Sequence, residues 1–233
     1  MRKILALALA VAGLIAFQPA SAEVTNADQK MVLIKTIGGT ISPKSVLASD
    51  SGLISAHNMM YNHSVTIYDA TTGELIATVP DSVVLSDFGF TQYSGSYKGA
   101  PVEGAYSPDG KYLYFTNYAM YGKGFNKEGH DTCSPASGFD TSFLSRINLE
   151  SKKIDAVYPV GSVPKVVKVT PDNKYILVSN WCSYTVTVIS VESGKTHFNQ
   201  NRSLSTRNRH HRRQQICICC RDGWVEHPPN RPH

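Results

Sequence analysis

The chain contains few side chains that could do chemistry at a defined site. The titratable groups with metal-ligand potential in or beside its predicted loops are His57, His63, His130 and Asp131. No fixed spacing such as His-x-x-x-His links them, so the pattern favours local hydrogen bonds over a metal site. No nucleophile–base pair, glycine-rich phosphate loop or haem-attachment Cys-x-x-Cys-His is present. We therefore predict no catalytic residue, no metal and no cofactor, and the sequence leans against an enzyme.

Aromatic side chains cluster in two of the same predicted loops. The candidate binding residues are Tyr118, Tyr121, His130, Trp181 and Tyr184. Aromatic rings on loops often line recognition surfaces, because they combine a large contact area with a polar edge. The same rings could instead seal the long segment from 118 to 141 against its neighbour, and both interpretations stay open.

A repeated segment must position these loops. Residues 101–117 (PVEGAYSPDGKYLYFTN) recur without a gap as residues 164–180 (PKVVKVTPDNKYILVSN), and a degenerate copy runs from 43 to 58. Each copy continues into a loop, an alternating strand, a turn and a further strand, which predicts four short antiparallel strands per unit. The second strand is apolar on both sides and needs cover on both faces. Radially stacked units supply that cover, so the repeat predicts a β-propeller.

The repeat resembles the YVTN family of β-propeller repeats. Its signature turn is present as Ser107-Pro108-Asp109-Gly110-Lys111, and a second copy ends its strand in Val178-Ser179-Asn180. The resemblance implies an all-β fold, a partial β-propeller of about three four-stranded antiparallel blades at residues 40–80, 100–161 and 162–196. A strand at 31–37 resembles the closing strand of full propellers. The family does not specify a function, since propellers host binding proteins, lactonases and redox enzymes alike.

Cys133 and Cys182 fall in predicted loops of neighbouring blades. The loops between the second and third strands project to one rim of a propeller, here at residues 59–63, 118–141 and 181–183. In an exported protein, two cysteines on adjacent rim loops are predicted to form a disulfide, which pins the long insertion to the next blade. A redox-active pair is the alternative, but Cys-x-x-Cys is absent from these loops.

Residues 1–22 have the features of a secretory signal peptide. A basic start at Arg2 and Lys3 precedes an apolar run, and Ala20-Ser21-Ala22 forms a small-x-small cleavage site. The apolar run is too short to span a bilayer. We expect cleavage after Ala22 and export to the periplasm, the cell surface or the medium.

The segment 197–233 departs from the composition of the rest of the chain. It holds seven arginines against Asp222 and Glu226, so its net charge of +5 equals that of the whole chain. A basic arm for nucleic acid or membranes and a Cys/His metal site are two explanations. The third is a shifted reading frame, because the codons of 202–227 read one nucleotide later permit a fourth repeat containing Thr-Ala-Asp-Asn-Lys-Tyr. We favour a frame shift between about residues 194 and 202 and predict an aberrant, disordered tail over 197–233.

These features together predict an exported β-propeller, present as a fragment, whose parent is a binding or interaction scaffold. The expected partner is an unidentified protein or cell-envelope ligand, and we expect no nucleic acid and no membrane span. A lactonase-like, metal-dependent propeller hydrolase is one alternative, because Glu103 lies on the predicted innermost strand that lines the channel. An electron-transfer propeller is the other.

Overall fold

The computed structural model describes residues 32–200, except for the side chains of residues 199 and 200. The chain divides into two compact units, residues 1–36 and residues 37–233. Residues 32–36 of the first unit carry no helix or strand, and neither do residues 37 and 38 of the second. The strand predicted at 31–37 is thus not formed in its described part. Val32, Leu33 and Ile34 are exposed, and an isolated strand has no partner for its backbone groups.

Three antiparallel sheets, here called blades, follow one another along the second unit. The first blade contains β1 (Pro43–Ala48), β2 (Leu53–Asn58), β3 (Ser64–Asp69) and β4 (Leu75–Pro80). The second contains β5 (Val83–Val84), β6 (Ser96–Tyr106), β7 (Tyr112–Tyr121), β8 (Ser142–Asn148) and β9 (Lys153–Val160). The third contains β10 (Pro164–Val169), β11 (Tyr175–Asn180), β12 (Thr185–Ser190) and β13 (Thr196–Gln200). Strands adjacent in sequence are adjacent in each sheet, as in the blades of a propeller.

The structure differs from the sequence prediction at two blade edges. The second blade has a fifth strand, because the long strand β6 extends far enough for Val83 and Val84 to pair with its first residues. Residues 197–200, assigned to the tail, belong to β13 and pair with β12 as the outer strand of the third blade. The predicted signal peptide and the rest of the tail, residues 201–233, lie outside the described residues.

Helices are short and few in the described range. Two 3-10 helices lie at Leu85–Phe88 and Pro135–Ser137. Neither these nor any other helix within residues 32–200 has the length and apolar character that crossing a membrane requires.

The repeated turn forms for the reason that its sequence suggests. Ser107 Oγ donates to Asp109 Oδ1 at 2.6 Å, and the same carboxylate oxygen accepts the backbone N–H of Lys111 at 3.1 Å. Gly110 adopts a φ of 69°, and Asn173 takes the equivalent position in the third blade with a φ of 57°. Gly and Asn are the residues that accept this left-handed conformation most readily. The turn therefore fixes the register of the two innermost strands of each blade.

The core lies between the blades. Side chains from β3 and β4 pack on the second blade: Val65, Ile67 and Val79 against Leu113, Phe115 and Ile147. A second layer joins blades two and three: Ala105, Tyr114, Leu144 and Tyr158 against Val167, Ile176, Val178 and Ile189. Leu113 and Tyr114 are consecutive in β7, face opposite sides, and are both fully buried. This two-sided burial confirms the all-β, partial propeller predicted from the repeat.

Candidate functional site

Loops from all three blades form the predicted rim, and the long insertion of the second blade dominates it. The insertion begins later than the sequence predicted. It starts at residue 122 and not at 118, because β7 continues through Tyr118 to Tyr121. This extension follows from the length of β6, whose Lys98 and Gly99 pair with Tyr121 and Met120. Tyr118 and Tyr121 are therefore held by a strand, and only the segment 122–141 is irregular or 3-10 helical between β7 and β8.

The insertion is tied covalently to the third blade. Cys133 and Cys182 form the predicted disulfide, with their Cα atoms 5.3 Å apart and a sequence separation of 49. Two hydrogen bonds flank it: Tyr184 Oη donates to the Cys133 carbonyl at 3.1 Å, and Trp181 Nε1 donates to the Asp131 carbonyl at 3.0 Å. The rings nevertheless remain accessible, since Trp181 is 41% and Tyr184 48% exposed.

An ammonium group sits at the centre of the aromatic cluster. Lys165 Nζ lies 2.7 Å from Asp131 Oδ1, 4.8 Å from the ring centroid of Trp181 and 5.8 Å from that of Tyr118. Tyr118 Oη donates to the same Asp131 oxygen at 3.1 Å. Lys165 lies in β10, and its three contacts come from three other elements: Tyr118 from β7, Asp131 from the insertion and Trp181 from the loop after β11. The arrangement combines a carboxylate with two π faces and is suited to holding a cation.

The electrostatics of this cluster agree with its geometry. The hydrogen bond from Lys165, followed by that from Tyr118, lowers the pKa of Asp131, which keeps the carboxylate ionised near neutral pH. Burial, followed by the hydrogen bond to Asp131, raises the pKa of Tyr118 to about 12. Tyr118 therefore stays protonated and donates to the carboxylate.

Tyr121 belongs to an adjoining cluster. Its hydroxyl donates to Glu128 Oε1 at 2.8 Å, and its ring stacks on His63 of the first blade with centroids 5.7 Å apart. Burial, then the bond to Glu128, raises the pKa of the Tyr121 hydroxyl. His63 Nδ1 lies 3.6 Å from Asp81 Oδ2, and the same oxygen accepts the N–H of Gly99 at 3.0 Å. Burial raises the pKa of Asp81 despite these contacts.

The His130 side chain stands apart from both clusters. Its Nδ1 lies 2.9 Å from Thr132 Oγ1, and its ring contacts Phe139 edge to face at 5.0 Å. Both partners lie within the insertion, so the side chain packs locally although it is exposed.

His57 does not lie at the rim where the sequence placed it. The residue lies in β2 with none of its surface exposed, and its Nδ1 is 3.0 Å from Ser45 Oγ. Burial lowers the pKa of His57 to about 4. The neighbouring Glu103 carboxylate, whose pKa is raised by burial, also interacts with Ser45. Within residues 32–200, no group of three or more His, Cys, Asp or Glu side chains comes together in a way that could hold a metal ion.

Lys165 was not among the residues predicted from the sequence, and Asp131 was predicted only as a titratable group with metal-ligand potential. A signal for Lys165 did exist. It follows Pro164 at the start of the repeat, where the first blade has Lys44 and the second Val102. That comparison indicates a cation at the start of an innermost strand, but it does not show which loop the cation contacts.

No protein-family model matches this sequence, and a search of curated proteins finds no similar sequence. Solved structures with a similar arrangement include a hydrazine synthase of Kuenenia stuttgartiensis at 20% identity, covering 72% of this chain and 38% of that one, with a TM-score of 0.47. The Swd1 β-propeller domain of Myceliophteria thermophila matches at 10% identity, covering 79% of this chain and 46% of that one, with a TM-score of 0.48. A Bacteroides fragilis protein assigned as a 6-phosphogluconolactonase matches at 21% identity, covering 67% and 37%, with a TM-score of 0.40.

The chain thus spans less than half the length of each of these structures. All three TM-scores lie below 0.5, so the likenesses carry no argument about function. The three antiparallel sheets themselves place this chain in the β-propeller class of folds.

Proposed function

We propose that this chain is part of an exported propeller of the YVTN type that acts as a binding scaffold, with the rim as its ligand-contacting surface. The proposed ligand is a protein or another component of the cell envelope. The signal-peptide pattern of residues 1–22 supports export. The Cys133–Cys182 disulfide supports it as well, because disulfides persist in oxidising compartments.

One observation carries the binding role: the rim aromatics are anchored by their polar atoms while their rings stay accessible. Trp181 and Tyr184 each donate a hydrogen bond to the insertion backbone, and each leaves more than a third of its surface exposed. A ring that is fixed before binding loses little conformational freedom when a ligand packs on it. Aromatic anchors of this kind contribute much of the energy at recognition surfaces.

The test compares the rim with a matched aromatic side chain at the opposite end of β11. Trp181→Ala combined with Tyr184→Ala removes the rim rings. Tyr175→Ala removes a ring that is 44% exposed at the opposite end of β11. Envelope components that cross-link to the wild-type protein are isolated and titrated against all three proteins by biolayer interferometry. We expect the rim variant to lose about tenfold or more in affinity and the Tyr175 variant to bind like the wild type.

Equal loss in both variants, or loss in neither, would refute the rim as the binding surface. Circular dichroism and a thiol assay confirm that each variant keeps its sheets and its disulfide, so that a loss of affinity is not a loss of fold.

A further inference from the structure

The Lys165 ammonium occupies a cage that the rest of the rim builds. We define the cage as the side chains of Tyr118, Asp131 and Trp181. Two of its walls are aromatic, and the third is a carboxylate whose oxygen lies 2.7 Å from Lys165 Nζ. Ring faces carry negative electrostatic potential, so aromatic rings together with a carboxylate favour a positive group over a neutral one.

The walls of the cage are held by contacts that do not involve Lys165. Trp181 Nε1 donates to the backbone carbonyl of Asp131, and Tyr118 Oη donates to the carboxylate of Asp131. The disulfide lies immediately beside both loop walls, since Cys182 follows Trp181 and Cys133 is two residues beyond Asp131. We therefore expect the cage to keep its shape when the Lys165 side chain moves out of it.

Lys165 itself is a replaceable occupant. Its side chain is 24% exposed and the partner carboxylate 69%, so solvent screens the ion pair from the side of Asp131 and weakens its contribution to stability. The fit is also uneven, because Nζ lies 4.8 Å from the Trp181 centroid but 5.8 Å from that of Tyr118. An ammonium group enlarged by N-methyl groups could contact both rings at once, and it sheds water more readily than the strongly hydrated lysine head.

We propose that the cage is a binding site for an alkylated ammonium group, which enters as the Lys165 side chain swings out. This inference rests on the proposed function of the rim and specifies the chemistry of the ligand group that the rim recognises. Lys165 then acts as an internal competitor. In the absence of ligand, its ammonium group fills the cage and pairs with the Asp131 carboxylate.

The test titrates choline and its neutral isostere, 3,3-dimethylbutan-1-ol, into the wild type and into Lys165→Ala at constant ionic strength by calorimetry. Removing the competitor should tighten choline binding by about tenfold, whereas the isostere should bind at least about tenfold more weakly than choline. The matched control is Lys168→Ala, which removes an exposed lysine from the same strand and should behave like the wild type. Trp181→Ala in the Lys165→Ala background should abolish binding.

A second measurement uses the unaltered protein. Lys165 Nζ lies 4.8 Å from the centroid of the Trp181 ring, so we expect the protons of the adjoining ε-methylene group to be shifted upfield in the NMR spectrum. Choline should return them to the values of a solvated lysine, whether or not the Lys165→Ala variant folds. Unchanged methylene shifts throughout the titration would overturn the proposal. So would equal binding of the isostere, or the same gain in Lys168→Ala.

These results are separable from those of the scaffold experiment. If the rim variant loses its envelope partner but choline neither binds nor competes, the cage proposal fails and the scaffold proposal stands. If choline binds as expected while the rim variant keeps its partner, the scaffold proposal fails and the cage remains a cation site.

Discussion

Acid should destabilise this fold through one buried side chain, His57. The imidazole is completely buried between the first two blades, with Ser45 beside Nδ1 and Gly104 against Nε2. Nε2 has no hydrogen-bond partner among the described residues. A second proton on this ring would place a positive charge in a buried site that solvent does not reach. Burial is accordingly the main cause that lowers the pKa of His57 to about 4.

The sign and size of the effect follow from the two pKa values. The unfolded chain, with a His pKa of about 6.5, binds a proton before the folded chain does. The stability of the fold is therefore complete above pH 6.5 and falls as the pH drops towards the folded-state value of about 4. For this single group, linkage gives a loss of about 2 kcal/mol between pH 8 and pH 5, and about 3 kcal/mol at lower pH.

The repeat supplies the matched variant, His57→Thr, because Thr116 occupies the equivalent position of β7. Urea unfolding of both proteins at pH 8 and pH 5, followed by circular dichroism, gives the pH-dependent difference in the free energy of unfolding. The variant should be less stable at both pH values, since a buried ring is lost, but it should lose about 2 kcal/mol less between them. Asp81 and Glu103, whose raised pKa values act in the opposite direction, are present in both proteins. Equal pH dependence in the two proteins would show that His57 is not held neutral by burial.

Two further predictions concern the contacts between blades. Replacing Cys133 and Cys182 with Ser should lower the free energy of unfolding by about 4 kcal/mol, the chain-entropy value for a 49-residue separation; a urea midpoint equal to that of the oxidised wild type would contradict this. Gly104→Ala would bring a Cβ into overlap with the His57 ring and should cost about 1–3 kcal/mol by overpacking. In a double-mutant cycle, urea unfolding should show that this cost shrinks once His57 has become Thr, and an unchanged cost would place the strain elsewhere.

The fold was predictable from sequence because its signals are local and repeated. The Ser107–Lys111 turn and its counterpart around Asn173 place the same residue types at the positions where the backbone needs them. The apolar residues on both sides of β7 predicted a packing partner on each face. The first blade packs on one face and the third blade on the other. The predictions that were wrong concern the ends of elements, such as the continuation of β7 to Tyr121 and the pairing of β13. Both depend on a partner strand whose length the local pattern does not state.

The candidate site was only partly predictable, because its key contacts join residues that are far apart in sequence. Tyr118 and Trp181 were named from their residue type and loop position. Lys165 and Asp131 meet across 34 residues, and nothing in either segment indicates the other. The disulfide could be predicted because cysteine has few partners to choose from, whereas a lysine near a rim has many possible carboxylates.

The repeat also shows what is unusual about His57. At the position of His57, every blade uses the side chain to bond an innermost strand. Thr116 Oγ1 donates to the carbonyls of Glu103 in its own blade and Lys165 in the next, and Ser179 Oγ accepts the N–H of Val166. His57 serves the same junction with a ring, contacting Ser45 in its own blade and Gly104 in the next. A threonine hydroxyl suffices for the junction between blades two and three, so the histidine adds a titratable group to a contact that does not require one. We therefore expect the acid sensitivity of the fold to arise at one blade junction and not from the propeller architecture.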